Sequence, residues 1–400
     1  MLTLDQFHSQ LAAGTLAGAR HIKLSDQLAE FPPALFALAE SLEILDLSGN
    51  RLSTLPDDLP RFKKLRILFA SGNPFTELPA VLGQMPELEM VGFKACNIAH
   101  VPEQSLPPRL RWLILTDNRL ESVPEAIGQC TRLQKLMLSC NRLATLPIEL
   151  AQCRALELLR IASNRFMTLP EVIFQLPQLA WLAFAGNPLT QKRELDALHA
   201  HGSETISYQN LLIGEKLGEG ASGHIYGASH GGQPLALKVF KAAHTSDGTP
   251  QSELAAGLAA GSHANLLTPL GPVTQLPQQQ LAMALPLLAP EMQALAQPPS
   301  FDSCTRDVYA DDQRFASTAA TGLLQGVRNA VAHLHGSGVL HGDLYAHNIL
   351  WNPGTGQAVL SDFGAAALMQ DLPQTQVVQL QQIELRALRH LEAEVQARIA

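Results

Sequence analysis

The segment SLEILDLSGNRLSTLP, residues 41–56, sets the architecture of the first half of the chain. It reads leucine, two residues, leucine, one residue, leucine, two residues, asparagine, one residue, leucine, two residues, leucine, proline. The spacing returns, with conservative exchanges, in RLRWLILTDNRLESVP (109–124), RLQKLMLSCNRLATLP (132–147) and ALELLRIASNRFMTLP (155–170). Working outward, the pattern runs from residue 19 to about residue 190 with a period of 23 residues, once shortened to 22. A period of this length means a solenoid. Each turn supplies one short strand whose alternate leucines point inward, and a single turn cannot bury that face, so turns must stack. Asn50, Asn73, Asn118, Asn141, Asn164 and Asn187 recur at one site, where an inward amide can satisfy backbone groups of the adjacent turn. Cys96 replaces the asparagine in one turn.

This half resembles the leucine-rich repeat family, with the shorter turn IKLSDQLAEFP (22–32) as an N-terminal cap. Residues alternating with the strand leucines project from the concave face and are apolar: Ile44, Ile67, Phe69, Met90, Trp112, Ile114, Met137, Leu158 and Trp181. Such a stripe is expected to contact a protein partner around Phe69, Trp112 and Trp181. Coverage by the protein's own second half is the alternative.

The second half carries a different signal. HGDLYAHNIL (341–350) and SDFG (361–364) space an acid, an amide and a second acid as phosphoryl transfer to a hydroxyl requires. Asp343 can accept the hydroxyl proton, while Asn348 and Asp362 offer oxygen ligands of the kind magnesium prefers. Upstream, LGEGASGHIY (217–226) sets Gly218, Gly220 and Gly223 in G-x-G-x-x-G spacing after the strand LLIGEKL. A dinucleotide site would enter a helix directly after these glycines; here Ile225 and Tyr226 begin another strand and LALKVF (235–240) reads as a third.

Together these motifs resemble the protein kinase family, in its catalytic loop H-R-D-L-x-x-x-x-N, its D-F-G motif and its glycine loop. The resemblance implies ATP and Mg2+ as cofactors, with Asn348 and Asp362 on the metal. It implies that Gly218, Gly220, Ser222, Gly223 and Ile225 cover the nucleotide. It implies that Lys238 touches the α- and β-phosphates, with Glu253 of SELAAGLAA (252–260) as its helix partner. A strand lysine taken alone is as readily a solvated one. LAMALPLL (281–288) resembles the strand leading into a kinase hinge, with backbone groups of Ala284 and Leu285 on the adenine edge and Met283 guarding the back pocket. The run 318–341 resembles the long helix that feeds the catalytic loop.

The expected fold is thus an α/β leucine-rich repeat solenoid over 1–200, followed over 205–400 by an α+β two-lobed protein-kinase-like domain with a minimal C-lobe, in a compact, bacterial-looking form. Departures from the kinase pattern bear on substrate. Gly342 stands where most protein kinases carry arginine, and Tyr345 where serine/threonine kinases carry lysine. No A-P-E follows Asp362, and Glu384 fills the acidic place of the next helix unusually soon. An active serine/threonine protein kinase with the repeats selecting substrate or regulator is the leading reading. A pseudokinase scaffold and a small-molecule phosphotransferase, whose catalytic loop also reads H-G-D, stay open.

Charge is uneven: residues 1–200 carry 19 Lys and Arg against 20 Asp and Glu, residues 201–400 only 9 against 16. An acidic, cation-poor second half argues against nucleic acid or anionic membrane as partners. Five cysteines without metal or disulfide spacing suggest a reducing, cytoplasmic setting. The N-terminal 20 residues lack a basic n-region, and no window suits a membrane span. His333 and His335 are expected on an exposed helix face. The stretch 189–210 reads as a capping helix and a short polar link, and PQQQ (277–280) as a loop.

Overall fold

A computed structural model describes residues 1–200, 205–220, 222–245, 247–277 and 280–400. Parts of the polar link and of the PQQQ loop lie outside the described residues. Eight three-residue strands, β1 (His21–Lys23), β2 (Ile44–Asp46), β3 (Ile67–Phe69), β4 (Met90–Gly92), β5 (Trp112–Ile114), β6 (Lys135–Met137), β7 (Leu158–Arg160) and β8 (Trp181–Ala183), form one sheet in chain order. Pairing is parallel from β1 to β6, with Ile44, Ile67, Met90, Trp112 and Lys135 aligned in one column. By contacts the chain divides into two compact units: Met1–Leu159 with Asn164–Leu179, and Arg160–Ser163 with Ala180–Ala400.

In the first unit the middle residue of each strand from β2 to β7 is buried, Leu45, Leu68, Val91, Leu113, Leu136 and Leu159, each adding about 1.5–3 kcal/mol of apolar burial. Most turns then pass through a short 3-10 helix that follows a proline, Pro79, Pro124, Pro147 or Pro170. The proline fixes φ at the entry, and the few residues left before the next strand are too few for an α-helix.

The asparagine ladder forms. Asn141 donates from Nδ2 to the carbonyls of Leu115 (2.9 Å) and Leu138 (3.0 Å), and its Oδ1 accepts from Leu120 N–H at 3.0 Å. Asn50, Asn73, Asn118 and Asn164 do the same in their turns. Cys96 offers long contacts to the carbonyls of Ala70 and Lys94, 3.6 Å each. At the N-terminal end, α1 (Leu4–Ala12) starts at a capping box of Thr3 and Gln6 and buries Phe7, so a helix precedes the degenerate first turn.

The second unit contains α2 (Pro188–Ala200) and a six-stranded sheet of β9 (Ile206–Ser207), β10 (Leu211–Glu219), β11 (Gly223–His230), β12 (Gln233–Phe240), β13 (Gly271–Thr274) and β14 (Ala282–Pro286). Its order is β10-β11-β12-β14-β13-β9. Side chains alternate across β12 and β14: Leu235, Leu237, Val239, Ala282 and Ala284 pack on one face, Ala236, Phe240, Met283 and Leu285 on the other. Helix α3 (Pro250–Ala260) joins β12 to β13, capped by Thr249 Oγ1, which accepts from Ser252 N–H at 3.1 Å.

The remainder is built on α4 (Ser317–Gly336), which buries Leu323, Leu324, Val327, Ala330, Val331 and Leu334 at helical spacing. Short strands β15 (Gln293–Ala294), β16 (Val339–Leu340), β17 (Ile349–Trp351), β18 (Ala358–Leu360) and β19 (Ala367–Leu368) hold the catalytic-loop region. Helix α5 (Gln374–Gln396) follows at once. His333 and His335 are half-buried and bonded, to the Ala260 carbonyl and to Glu384 at 2.8 Å each, which corrects the exposed-face expectation.

Candidate active site

A cleft of about 710 Å³ opens beside the six-stranded sheet. Gly220, Ser222, Gly223, Ile225, Lys238, Glu253, Met283, Leu285 and Asp362 line it; Gly218, Ala284, Asp343 and Asn348 do not. In the glycine hairpin Gly220 N–H donates to the Gly223 carbonyl at 2.9 Å. Lys241 and Lys216 hold Glu219 at 2.5 Å each, below its ordinary pKa, at about 2. Gly223 is required by packing, because a Cβ there would lie 2.7 Å from the Val239 carbonyl oxygen.

The alternation on β12 turns Lys238 to the same face as Ala236 and Phe240, in register with Ile225 and Met283. Its ammonium pairs with Glu253 of α3, and both side chains are buried. Burial works against the Lys238 charge, and Glu253 with Asp362 more than restores it. Burial pushes the Glu253 carboxyl up, to about 7, against the pull of Lys238.

The hinge expectation is corrected at Ala284. Its backbone pairs with Leu237 on one side and Gly271 on the other, and its carbonyl accepts from Leu270, so it has nothing to offer a ligand. Met283 and Leu285 face the cleft because they share the Lys238 side of the sheet. Beyond the strand end, Leu287 and Leu288 continue the wall.

Under the cleft, Asn348 Nδ2 donates to both the carbonyl and Oδ2 of Asp343 at 2.9 Å. Its own carbonyl accepts N–H and Oγ–H from Ser361, the residue before Asp362. Asp362 has φ 61°, a left-handed backbone that costs a non-glycine residue energy and recurs at functional sites. His341 Nε2 bonds the Ser361 carbonyl at 3.0 Å, and His347 Nδ1 bonds Asp307 at 2.7 Å. Gly342 N–H donates to Glu384 Oε1 at 2.7 Å, so the early glutamate of α5 does anchor the loop.

Sequence reasoning missed Arg160. Its side chain is 2% exposed; Nε donates to Asp247 at 2.7 Å, one terminal nitrogen to the Gly342 carbonyl at 3.0 Å, and the other to Asp343 Oδ1. The available signal was a lone arginine in the strand column otherwise filled by Lys23, Asp46, Phe69, Gly92, Ile114, Met137 and Ala183, in a chain whose second half is acidic.

Trp181 is a correction to the expected partner surface. Its ring stacks on Tyr345 at 4.2 Å and 5°, and its Nε1 donates to the Leu344 carbonyl at 3.0 Å. It is an internal contact of the second unit and cannot anchor a partner. Ile67, Met90 and Leu158 are buried too, whereas Phe69 and Trp112 keep part of their surface.

Comparison with known proteins accounts for this arrangement. Residues 211–382 match the model of the protein kinase domain, and 41–62, 108–166 and 131–189 match leucine-rich repeat models. The chain carries leucine-rich repeats followed by a protein kinase domain. The human PH domain leucine-rich repeat-containing protein phosphatase 1 is 32% identical over 108 residues, 26% of this chain and 6% of that protein. A mouse leucine-rich repeat serine/threonine-protein kinase 1 is 38% identical over 76 residues, 19% of this chain and 4% of that protein. The chain spans less than a fifth of the length of the curated relatives it matches. A solved leucine-rich repeat protein of Leptospira interrogans is 28% identical with a TM-score of 0.35, over 41% of this chain and 48% of that one. Among the described residues of the repeats and the kinase domain, no helix is long and apolar enough to cross a membrane.

Proposed function

We propose that the chain is an ATP-dependent protein kinase that transfers the γ-phosphate to Ser or Thr hydroxyls, with its leucine-rich repeats binding a protein substrate or regulator through the Phe69 and Trp112 region. The observation that carries this reading is the buried ion pair of Lys238 and Glu253 on the wall of a cleft that also holds Asp362. Burying two charges stabilises a fold no better than apolar side chains would, and such perturbed groups in a cleft mark functional sites. The kinase-domain match and the mouse relative's name support the same class.

The residues present suit an adenine nucleotide with magnesium. Lys238 would hold the α- and β-phosphates, the hairpin backbone of Gly220, Ser222 and Gly223 would cover them, and the backbone at Leu287 and Leu288, beyond the strand end, would meet the adenine edge. Asn348 turns its Nδ2 to Asp343, which leaves Oδ1, with the Asp362 carboxylate, for a hard cation. When bound, magnesium supplies charge neutralisation on the phosphates. Asp343 orients the acceptor hydroxyl and takes its proton. The buried free cysteines Cys96, Cys130, Cys153 and Cys304 suit a reducing, cytoplasmic setting.

A second reading, a small-molecule phosphotransferase, is favoured by the segment after Asp362. Only β19 and two short turns separate it from α5, which leaves little surface for an extended peptide. The test is transfer from γ-labelled ATP with magnesium, offering the protein itself, a generic basic protein and small hydroxyl compounds, followed by phosphoamino-acid analysis. Label on Ser or Thr is expected. Label only on a small compound would favour the second reading, and bound nucleotide with no transfer would leave a pseudokinase scaffold.

A further inference from the structure

In the kinase pattern, cations beside the catalytic acid come from the loop itself. Here the loop supplies neither. Gly342 has φ +73°, and a Cβ would lie 2.5 Å from the Leu182 carbonyl oxygen and 2.7 Å from that of Ala365, so no side chain fits there. Tyr345 is stacked on Trp181, and its hydroxyl has no hydrogen-bond partner among the described residues. The cation that reaches Asp343 is Arg160, from the end of a repeat strand.

The three donors of Arg160 go to three places that matter together. Asp343 is the candidate base and Gly342 its backbone neighbour. Asp247 lies two residues before Thr249, the cap of α3, and α3 carries Glu253, the partner of Lys238. One planar guanidinium therefore ties the catalytic loop to the entrance of the helix that sets the phosphate-binding lysine. Lysine, with a single point charge, cannot reproduce this fork. With Oδ1 on Arg160 and Oδ2 on Asn348, the Asp343 carboxylate has one orientation.

We propose that Arg160 is a positioning residue of the phosphotransfer centre: it orients Asp343 and locks the catalytic loop to α3, so that its guanidinium supplies an alignment that needs no phosphorylation after Asp362. The catalytic consequence rests on the kinase reading above. The groups facing the Asp343 carboxyl are Arg160, His341, His347 and Tyr345, with Asp247 across Arg160, Asp307 behind His347 and Arg306 near Tyr345. Burial pushes the Asp343 carboxyl up, and Arg160, then His347 and His341, bring it below its ordinary value.

The test compares wild type, Arg160→Gln and Arg160→Lys in the full chain. Phosphate transfer is measured as kcat and KM at pH 7, and the Asp343 carboxylate is followed by its 13C chemical shift at that pH, with Asp343→Asn assigning the signal. Expected for Arg160→Gln are kcat lower by on the order of 100-fold, with the KM for ATP within about threefold, and a displaced Asp343 signal. Arg160→Lys recovers part of kcat. Wild-type kcat in Arg160→Gln, or an Asp343 signal that it leaves unmoved, overturns the proposal. Should Arg160→Gln not fold, wild-type kcat in Arg160→Lys overturns it. If wild type binds nucleotide and transfers nothing, the kinase reading fails, while the Asp343 signal still decides whether Arg160 orients the carboxylate.

Discussion

Placing an arginine at position 342 should damage this protein. Gly342 sits in the left-handed region, which costs an L-residue about 1–2 kcal/mol. Its missing Cβ would press on the carbonyl oxygens of Leu182 and Ala365 at 2.5 and 2.7 Å, and forcing atoms into a packed site costs about 1–3 kcal/mol more. Gly342→Ala and Gly342→Arg should therefore lose about 2–5 kcal/mol. The arginine also adds a like charge near Arg160, which already bonds the Gly342 carbonyl at 3.0 Å. At about 2–4 °C per kcal/mol for a unit of this size, the transition should fall by roughly 4–20 °C in scanning calorimetry. Gly336→Ala is the control, since a Cβ there meets nothing within 4 Å; it should stay within about 0.5 kcal/mol of wild type. A Gly342→Ala protein melting at the wild-type temperature would refute the claim that backbone packing keeps this position a glycine.

Lys238→Met should leave Glu253 buried without its cation, weakening nucleotide binding and destabilising by about 3–5 kcal/mol; combining it with Glu253→Leu should recover stability but not ATP affinity, read by calorimetric titration. Asn141→Ala leaves the Leu120 amide without its acceptor, while the Leu115 and Leu138 carbonyls keep Asn118 and Asn164, and should cost about 1–3 kcal/mol, whereas Cys96→Asn should complete the ladder and gain about 1 kcal/mol, both read by urea unfolding. Burial, then Asp307, raises the Glu394 carboxyl to about 7 against the Tyr309 hydrogen bond. Its folded pKa exceeds the unfolded one, so the stability it contributes is full below about 4.5 and lost as pH rises through about 7. Glu394→Gln should thus gain on wild type in melting temperature between pH 5 and pH 8, and a constant difference would show that the carboxyl is not perturbed.

The repeats were legible because their physics is local and periodic. One leucine spacing sets strand, turn and asparagine ladder in every turn, and the ladder bonds follow from it. The kinase motifs were legible because Lys238, Asp343, Asn348 and Asp362 stand in chain order with recognisable neighbours. The hinge was misread at Ala284 because the apolar run 281–288 has no polar residue to mark which side chains face the cleft; only strand register with Lys238 does. Arg160 and Trp181 were missed or misassigned for another reason. Each belongs by sequence to a repeat and by contact to the catalytic loop, with partners more than 160 residues away. A repeat template reports what its positions share, so a residue that departs from its column carries information the template discards.

The most direct test of the central claim is the rate of γ-phosphate transfer to a Ser/Thr acceptor by wild type against Asp343→Asn, both at saturating ATP and magnesium. Loss of the base should lower kcat by about 10²–10⁴-fold while ATP affinity stays close to wild type. Equal rates in the two proteins would contradict the assignment of Asp343 and the phosphotransfer mechanism built on it.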